Sequence, residues 1–464
     1  MQTLTEPKNR IKIGPGKLAR IQTKREVIQA GFYFFVLSVI AMFLLDGGLE
    51  GISDLPSALD AFSRISSLVG TALLLIMLLL TARVPWIDQQ FGQDVATLAH
   101  KKLGKWAFYL ILAHFAASLT SYAITDGRNV VAELGYLVFT FQDFLTATIA
   151  TLLMILVVVS SFKAVRRKLR YETWFVTHLL SYLSVMLSIP HIFNMGSDLV
   201  LNDIHNAIWV FAYVFVGFNI LFFRAALPLA KSLLANTTVD RVVRESSDSV
   251  SIYIKGRKLN RFGAQAGQFF QVRFLTKELW GQAHPFSISA VPTQNQIRFT
   301  IAKRGDATEL MQHLTPGTRV ILSGPFGVFT QEMRTKRDVV LIAAGIGIPP
   351  VRALAEGLAA TAGDISILYR TRDESDAPLL EELKQISELR GHNLKLATGS
   401  RPANGQWLSH SNISDESELL QLFPSIREAD VYLCGPIEFT HRVERSLKKL
   451  GIQETSIHSE EYAW

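Results

Sequence analysis

The chain has 464 residues, 49% of them hydrophobic and 19% charged, with a formal net charge of +7. That length leaves room for two or three domains. The cations gather beside apolar runs rather than in one basic patch, which excludes a nucleic-acid binder. A single cysteine, Cys434, excludes an intramolecular disulfide framework and suits a cytosolic soluble half.

The apolar residues lie mostly in the first half. Six runs near 26–45, 66–82, 98–124, 137–162, 174–193 and 204–223 are long enough to span a membrane, since about 20 apolar residues cross the hydrocarbon core. The first run is expected to stay as a helix, because no small-residue cleavage site follows it. Lys8, Arg10, Lys12, Lys17, Arg20, Lys24 and Arg25 precede it. Arg83, Lys101, Lys102 and Lys105 lie between the second and third runs. Lys163, Arg166, Arg167, Lys168 and Arg170 lie between the fourth and fifth. The alternate links carry acids: Asp46, Glu50, Asp54 and Asp60, then Asp126 and Glu133, then Asp198 and Asp203. This positive-inside pattern predicts a multi-pass protein of the cell membrane with both termini cytosolic and the lipid bilayer as its first partner.

Five histidines fall in or beside these runs: His100, His114, His178, His191 and His205. An ionisable group inside a span is costly and marks a functional site by default. His100 and His114 are fourteen residues apart. At about 100° per residue they share a helix face, roughly 21 Å apart along the axis. His178 and His191 are thirteen apart, roughly 20 Å, which on an ideal helix turns His191 away from His178. Pro190 precedes His191, and a proline distorts a helix enough to re-aim it. Two helices with imidazoles at matching heights can clamp two stacked metal centres, and two axial imidazoles complete a haem. His205 reads as structural.

After Arg224 the pattern changes. Residues 239–256, 266–275 and 295–304 alternate like strands of a meander. "DVVLIAAGIGIPPVRALAEGLAA" (338–360) reads as a buried strand, a glycine turn and a helix. "DISILYRTR" (364–372) and "ADVYLCGP" (429–436) read as further strands of the same kind. Strands that alternate with helices imply a parallel sheet. The expected fold is therefore multi-domain: a six-helix α transmembrane bundle, an antiparallel β-barrel, then an α/β parallel-sheet domain. The boundaries expected are 1–25 for a basic N-terminus, 26–230 for the membrane domain, 236–332 for the barrel and 336–464 for the α/β domain.

The histidine pairs, with "RVPWIDQQFGQD…HKKLGKW" and "RYETWFVTHLL", resemble the ferric reductase-like transmembrane domain shared by NADPH oxidases and ferric-chelate reductases, bacterial members among them. The resemblance implies two b-type haems. His100 and His178 hold the cytosolic one, and His114 and His191 the outer one. It also implies an arginine near the outer haem, and Arg64 stands at the outward start of the second run. Two features depart from the animal oxidases. The position four residues after His114, a histidine there, is Ser118, and the link between the fifth and sixth runs is short.

"HPFSISA" (284–290) resembles the flavin signature of the ferredoxin–NADP reductase superfamily in its membrane-reductase form. The resemblance implies that His284 takes the polar position near the phosphates or ribityl chain, followed by Pro285. Phe286 would lie against the isoalloxazine and Ser287 bond near N5. "KRGDATEL" (303–310) resembles the pyrophosphate loop: Lys303 adds charge, Gly305 lets the backbone approach, and Thr308 donates to phosphate. Thr308 equally fits a plain N-cap. "GPFGVF" (324–329) closes the barrel in this superfamily. "AAGIGIPP" (343–350) supplies Gly345 and Gly347 for tight turning and close phosphate approach before a helix. The resemblance brings Cys434 and Gly435, with Pro436, to the nicotinamide, although Cys434 also reads as a small buried hydrophobe. Arg370, Arg372 and Arg401 are candidates for the 2′-phosphate, so NADPH is expected before NADH. "HSEEYAW" (458–464) offers Tyr462 or Trp464 as the ring over the flavin.

Together these imply a transmembrane oxidoreductase that moves electrons from cytosolic NADPH through FAD and two b-type haems to an outer acceptor. Dioxygen comes first, with a ferric chelate, a quinone or a periplasmic partner as alternatives. Oligomeric state is left open.

Overall fold

A computed structural model describes residues 15–400, 406–408 and 413–462. Two compact units divide the described residues, one of Glu26–Val84 with Asp94–Phe222, the other of Pro85–Gln93 with the described residues before Glu26 and after Phe222.

The first unit is helical. Its elements run α1 (Pro15–Leu45), α2 (Leu55–Thr81), then, after α3 (Pro85–Phe91) of the other unit, α4 (Gln93–Thr125), α5 (Val130–Thr140), α6 (Gln142–Ser161), α7 (Lys163–Arg166), α8 (Tyr171–Met195), α9 (Ser197–Val200) and α10 (Asp203–Leu221). Among the described residues six helical stretches are long and apolar enough to cross a membrane: Gln22–Leu45, Leu55–Thr81, Val95–Thr125, Gln142–Ser161, Glu172–Met195 and Asp203–Ala235.

The second stretch begins at Leu55, not near 66. Asp54 caps α2 by accepting from the Ser57 backbone N–H at 2.9 Å, while the Ser57 hydroxyl serves the Asp54 backbone N–H at 3.1 Å. Ser57, Asp60, Ser63 and Arg64 are polar, so hydropathy alone starts the helix two to three turns late. The fourth expected run, 137–162, is two helices. Phe141 is extended (φ −119°, ψ 115°) and separates α5 from α6.

Small residues set the packing between α2 and α4. A Cβ on Gly70 would lie 3.1 Å from both Leu110 and Ile111, and one on Gly104 would lie 2.9 Å from the sulfur of Met77. Side chains this small let helix backbones approach closely in a lipid setting. Helices α6 and α8 also meet, with Ser184 donating to the Ala150 carbonyl at 2.7 Å.

The second unit opens with α11 (Leu227–Ala235). It continues through β1 (Thr238–Arg244), β2 (Ser249–Lys255), β3 (Phe269–Phe274), β4 (His284–Ser287), β5 (Gln296–Ala302), α12 (Asp306–Met311) and β6 (Val320–Phe326). The strands form two antiparallel three-stranded sheets, β1-β2-β5 and β4-β3-β6. Among the described residues the two sheets are joined by the isolated bridges Thr238–Arg319 and Ile288–Phe299 rather than by a ladder. The expected barrel is thus antiparallel but not closed by continuous ladders. Ile252, Phe270, Phe274, Ile288 and Phe299 fill its core, each fully buried.

The rest is β7 (Val339–Ala344), α13 (Ile348–Gly357), β8 (Ile365–Arg370), α14 (Leu380–Arg390), β9 (Asn393–Ala397), α15 (Asp415–Leu422), β10 (Asp430–Pro436), α16 (Ile437–Lys449) and β11 (Ile457–Tyr462). The five strands are parallel, in the order β11-β10-β7-β8-β9. Every residue of β7 is buried, as befits a strand covered on both faces. The chain leaves β7 toward β8 and β9, then returns to add β10 and β11 on the other side. The β7–β10 junction is therefore the topological switch point, whose carboxyl end is where open α/β sheets bind ligands.

Candidate functional site

Within the helical unit α4 and α8 bring the four histidines together as two pairs. His100 and His178 have ring centroids 6.2 Å apart with 62° between planes. His114 and His191 are 6.4 Å apart at 56°. Helix α8 is continuous from Tyr171 to Met195 with Pro190 inside it, and His191 faces His114 nonetheless. Metal–imidazole bonds of about 2.0 Å on each side, with each centroid about 1.1 Å behind its nitrogen, require centroids about 6.2 Å apart. Both pairs have that spacing. Among the described residues no three His, Cys, Asp or Glu converge as a cage for a bare ion. Paired ligands without equatorial protein donors fit a metal that brings its own macrocycle.

Nδ1 of His114 lies 3.0 Å from the Ser63 carbonyl oxygen, which only accepts, so this nitrogen carries the proton. The Ser63 hydroxyl is also 2.9 Å away. Nδ1 of His178 is 3.3 Å from the Ser161 hydroxyl, and Nδ1 of His100 is 3.5 Å from the Met77 carbonyl. An Nδ1–H held in this way leaves Nε2 with its lone pair for a metal. Nδ1 of His191 is buried with no partner among the described residues, and the edge of Phe144 packs on its ring at 5.2 Å.

Arg64 lies well inside α2 rather than at its start. Its Nε donates to Asp198 at 3.0 Å, its Nη2 pairs with the other oxygen of the same carboxylate, and its guanidinium stands over Phe43. His205 pairs with Asp46 at 2.8 Å, in keeping with its structural reading.

In the other unit, the glycine turn and the end of β10 converge at the switch point. A Cβ on Gly347 would sit 2.3 Å from the Cys434 carbonyl oxygen, and one on Gly435 would sit 2.9 Å from the Phe439 ring. Gly345 has φ +50° and faces open space. These are places where backbone must stay bare, as a cradle for a phosphate or ring requires. Cys434 is fully buried among the core residues beneath α13. The Tyr462 backbone pairs with Pro436, so β11 ends at the same carboxyl edge. Trp464 and Arg401 lie outside the described residues.

Several expected ligands have other work. The Arg370 guanidinium is buried and donates to the carbonyls of Thr371, Ala397, Gly399, Ser400 and Trp407, so it clamps the loops after β8 and β9. Arg372 is exposed. Gly305, not Thr308, is the N-cap of α12; Thr308 stands three residues on and its hydroxyl accepts from the Arg304 and Gly305 backbone N–H groups at 2.8 and 3.0 Å. Lys303 is ion-paired with Glu309. In β4, Pro285 is exposed, while Phe286 is 8% exposed and packed in the core, leaving only an edge for a flavin. His284 stacks on Phe286 (6.1 Å, 22°) and contacts Gln282 at 3.1 Å, and burial holds its pKa below the usual value. The hydroxyl and carbonyl partners of the histidines, and the Arg298–Glu382 ion pair, have no sequence motif. They depend on pairing across distant segments.

The fold and its crevice define a flavin- and nicotinamide-binding reductase module carried by a multi-pass membrane protein. Sequence comparison gives the same division. Residues 66–189 match the family described as ferric reductase like transmembrane component. Residues 237–330 match an FAD-binding domain, and 341–445 an oxidoreductase NAD-binding domain. In this order the three are the domain architecture of NADPH oxidases and ferric reductases, and the domains are those of an NAD(P)H-dependent oxidoreductase. The first match takes in His100, His114 and His178 and stops two residues before His191.

A flavohemoprotein of Burkholderia sp. (strain TH2) is 26% identical over 47% of this chain and 56% of its own length. The toluate 1,2-dioxygenase electron transfer component of Pseudomonas putida is 25% identical over 48% of this chain and 66% of its own. The chain thus spans between about half and two-thirds of these relatives. Among solved structures, the FAD/NAD-binding domain of a Vibrio cholerae nitric oxide dioxygenase superposes with a TM-score of 0.40, 22% identity, and coverage of 49% of this chain and 98% of that one.

Proposed function

We propose that the protein carries electrons from NADPH through FAD and two b-type haems across a cell membrane to dioxygen. The observation that carries this reading is the pair of facing imidazoles, twice repeated, at 6.2 and 6.4 Å between α4 and α8. When bound, FAD takes two electrons with a hydride and releases them singly, and each haem carries one at a time.

The chain's own residues bind and orient. His100 with His178 would hold one haem and His114 with His191 the other, and Ser63, Ser161 and Met77 hold three of the four rings in the tautomer that presents Nε2. Gly345, Gly347 and Gly435 keep the β7–β10 crevice open to the nicotinamide cofactor. Arg372, exposed beyond β8, is a cation available for a 2′-phosphate. His284 and Ser287 line the flavin side. The charge pattern of the links supports a cytosolic side for His100, His178 and the reductase module.

Dioxygen is preferred to an anionic ferric chelate because Arg64 is already held by Asp198, with Asp46 on the neighbouring turn held to His205. A guanidinium so matched offers little to an anion. The test is an anaerobic spectrum of purified, FAD-supplied protein before and after NADPH. Reduced b-type bands are expected, with reoxidation by air faster than by ferric citrate. Absence of haem bands even with dithionite sinks the four-histidine reading.

A further inference from the structure

Ser161 at the end of α6, Arg166 in α7, and Trp174 and His178 in α8 form a chain of contacts that axial ligation alone does not require. Ser161 donates its one hydroxyl proton to the Val157 carbonyl at 2.7 Å. Its oxygen therefore accepts, from Nε1–H of Trp174 at 3.3 Å and from Nδ1–H of His178 at 3.3 Å. The Trp174 indole also stacks on the His178 imidazole, centroids 5.2 Å apart and planes 29° apart. The same indole carries the Arg166 guanidinium 4.5 Å from its centroid. The order is cation, indole, imidazole. Arg166 is half-buried, whereas its neighbours Lys163, Arg167, Lys168 and Arg170 are exposed, so it is the cation of this loop least screened by water.

We infer that Ser161, Trp174 and Arg166 are positioning residues for the His178 imidazole, and that the Arg166 charge raises the reduction potential of the haem His178 holds. The inference rests on the proposed haem pair. Two physical effects support it. A hydroxyl that takes Nδ1–H and an indole face that limits ring rotation fix the plane of the ligand. A fixed cation favours the reduced, less positive iron, and neighbouring charge is one of the levers by which a protein sets such potentials. The cap belongs to one histidine pair, at the end of the bundle where the basic loop lies. There it eases entry of each electron into the membrane chain.

The experiment is a spectroelectrochemical titration of the purified full-length holoprotein, with electron paramagnetic resonance of the ferric form. Wild type is expected to titrate as two low-spin haems. In Arg166→Gln one midpoint falls and the other stays. Arg166→Lys keeps it near the wild-type value, and Arg167→Gln, at an exposed neighbour, leaves both unchanged. In Ser161→Ala the low-spin signal of one haem shifts, because the ring plane is freed. Trp174→Phe, which lacks the indole donor, moves the same signal and serves if Arg166→Gln fails to assemble. Unchanged midpoints in Arg166→Gln, or a fall just as large in Arg167→Gln, overturn the role of the charge. Unmoved signals in both Ser161→Ala and Trp174→Phe overturn the positioning role. A wild type without two haems instead overturns the proposed function, so the two failures are told apart before any variant is read.

Discussion

Arg298 of β5 and Glu382 of α14 form a bidentate ion pair between the flavin and nicotinamide domains, with nitrogen–oxygen distances of 2.7 and 2.9 Å. Arg298 is 4% exposed and also donates to Ser289 and Tyr253. Arg352 of α13 reaches the same carboxylate at 2.8 Å and pairs with Glu356, which in turn accepts the Val291 backbone N–H at 2.8 Å. Two arginines and two glutamates thus tie β5 and the segment after β4 to α13 and α14 of the nicotinamide domain.

Breaking this pair leaves a buried guanidinium without its counter-ion. Glu382→Ala is expected to destabilise the protein by about 2–3 kcal/mol, below the ~3–5 of a wholly buried pair because Glu382 keeps a third of its surface. Burial alone pushes the Glu382 carboxyl up, but its bonds to Arg298 and Arg352 outweigh that and hold its pKa below the usual value. Its contribution is therefore complete above the ordinary glutamate range and lost as pH falls through the lowered value. Thermal release of FAD followed from pH 7 downward measures this. Wild type should lose stability on acidification more steeply than Glu382→Gln, and equal slopes would falsify the assignment.

The reductase half was more legible than its wiring. "DVVLIAAGIGIPP" displays a doubly covered strand and a bare-backbone turn, and β7, Gly345 and Gly347 lie where that pattern puts them. Glu382 looks like any surface glutamate of an amphipathic helix, because its partner is 84 residues away in sequence. Arg370 and Arg372 are alike as sequence, yet one is buried among carbonyls and the other exposed. In the membrane half, polarity misled twice: the capped first turns of α2 read as a loop, and the apolar break at Phe141 read as continuous helix. The histidine spacing was visible, but ideal helix geometry points His191 away from the face that His178 occupies. His191 nonetheless meets His114 on a helix that runs unbroken through Pro190.

Single substitutions at the histidines should remove haems one at a time. His100→Ala or His178→Ala is expected to leave about one haem per chain, and His114→Ala or His191→Ala to leave the other one, since each iron needs both axial rings. Haem content by pyridine haemochrome, with a redox titration of what remains, reads this directly. Retention of two haems in any of the four variants removes that histidine from the ligand set.

Gly347 tests the crevice. A methyl group there meets the Cys434 carbonyl at 2.3 Å, and backbone oxygen does not give way as a flexible side chain would. Gly347→Ala is expected to push the turn from β10 and slow flavin reduction by NADPH about 100-fold, the scale of an ångström's misplacement. Dithionite should still reduce flavin and haem normally. If NADPH reduces the variant at the wild-type rate, the β7–β10 junction is not the nicotinamide site.

The two arginines at and just beyond the end of β8 should behave oppositely. Arg370 gives its protons to five backbone carbonyls, at 2.8 Å for Gly399 and Ser400, and is buried. Arg370→Ala strands those acceptors and is expected to cost about 2–4 kcal/mol of stability. Arg372 is exposed, so Arg372→Ala should leave stability within about 0.5 kcal/mol. Its effect should fall on the cofactor: KM for NADPH rises about 10-fold or more, the worth of one charge-assisted hydrogen bond, while KM for NADH hardly moves. Steady-state kinetics with both nucleotides, beside a melting curve for each variant, separate the two roles. An Arg372→Ala protein that weakens NADH and NADPH alike would mean that this arginine holds the shared pyrophosphate and not the 2′-phosphate. A stable Arg370→Ala protein that loses only NADPH would return the 2′-phosphate to Arg370 and show that the carbonyl clamp opens when the nucleotide arrives.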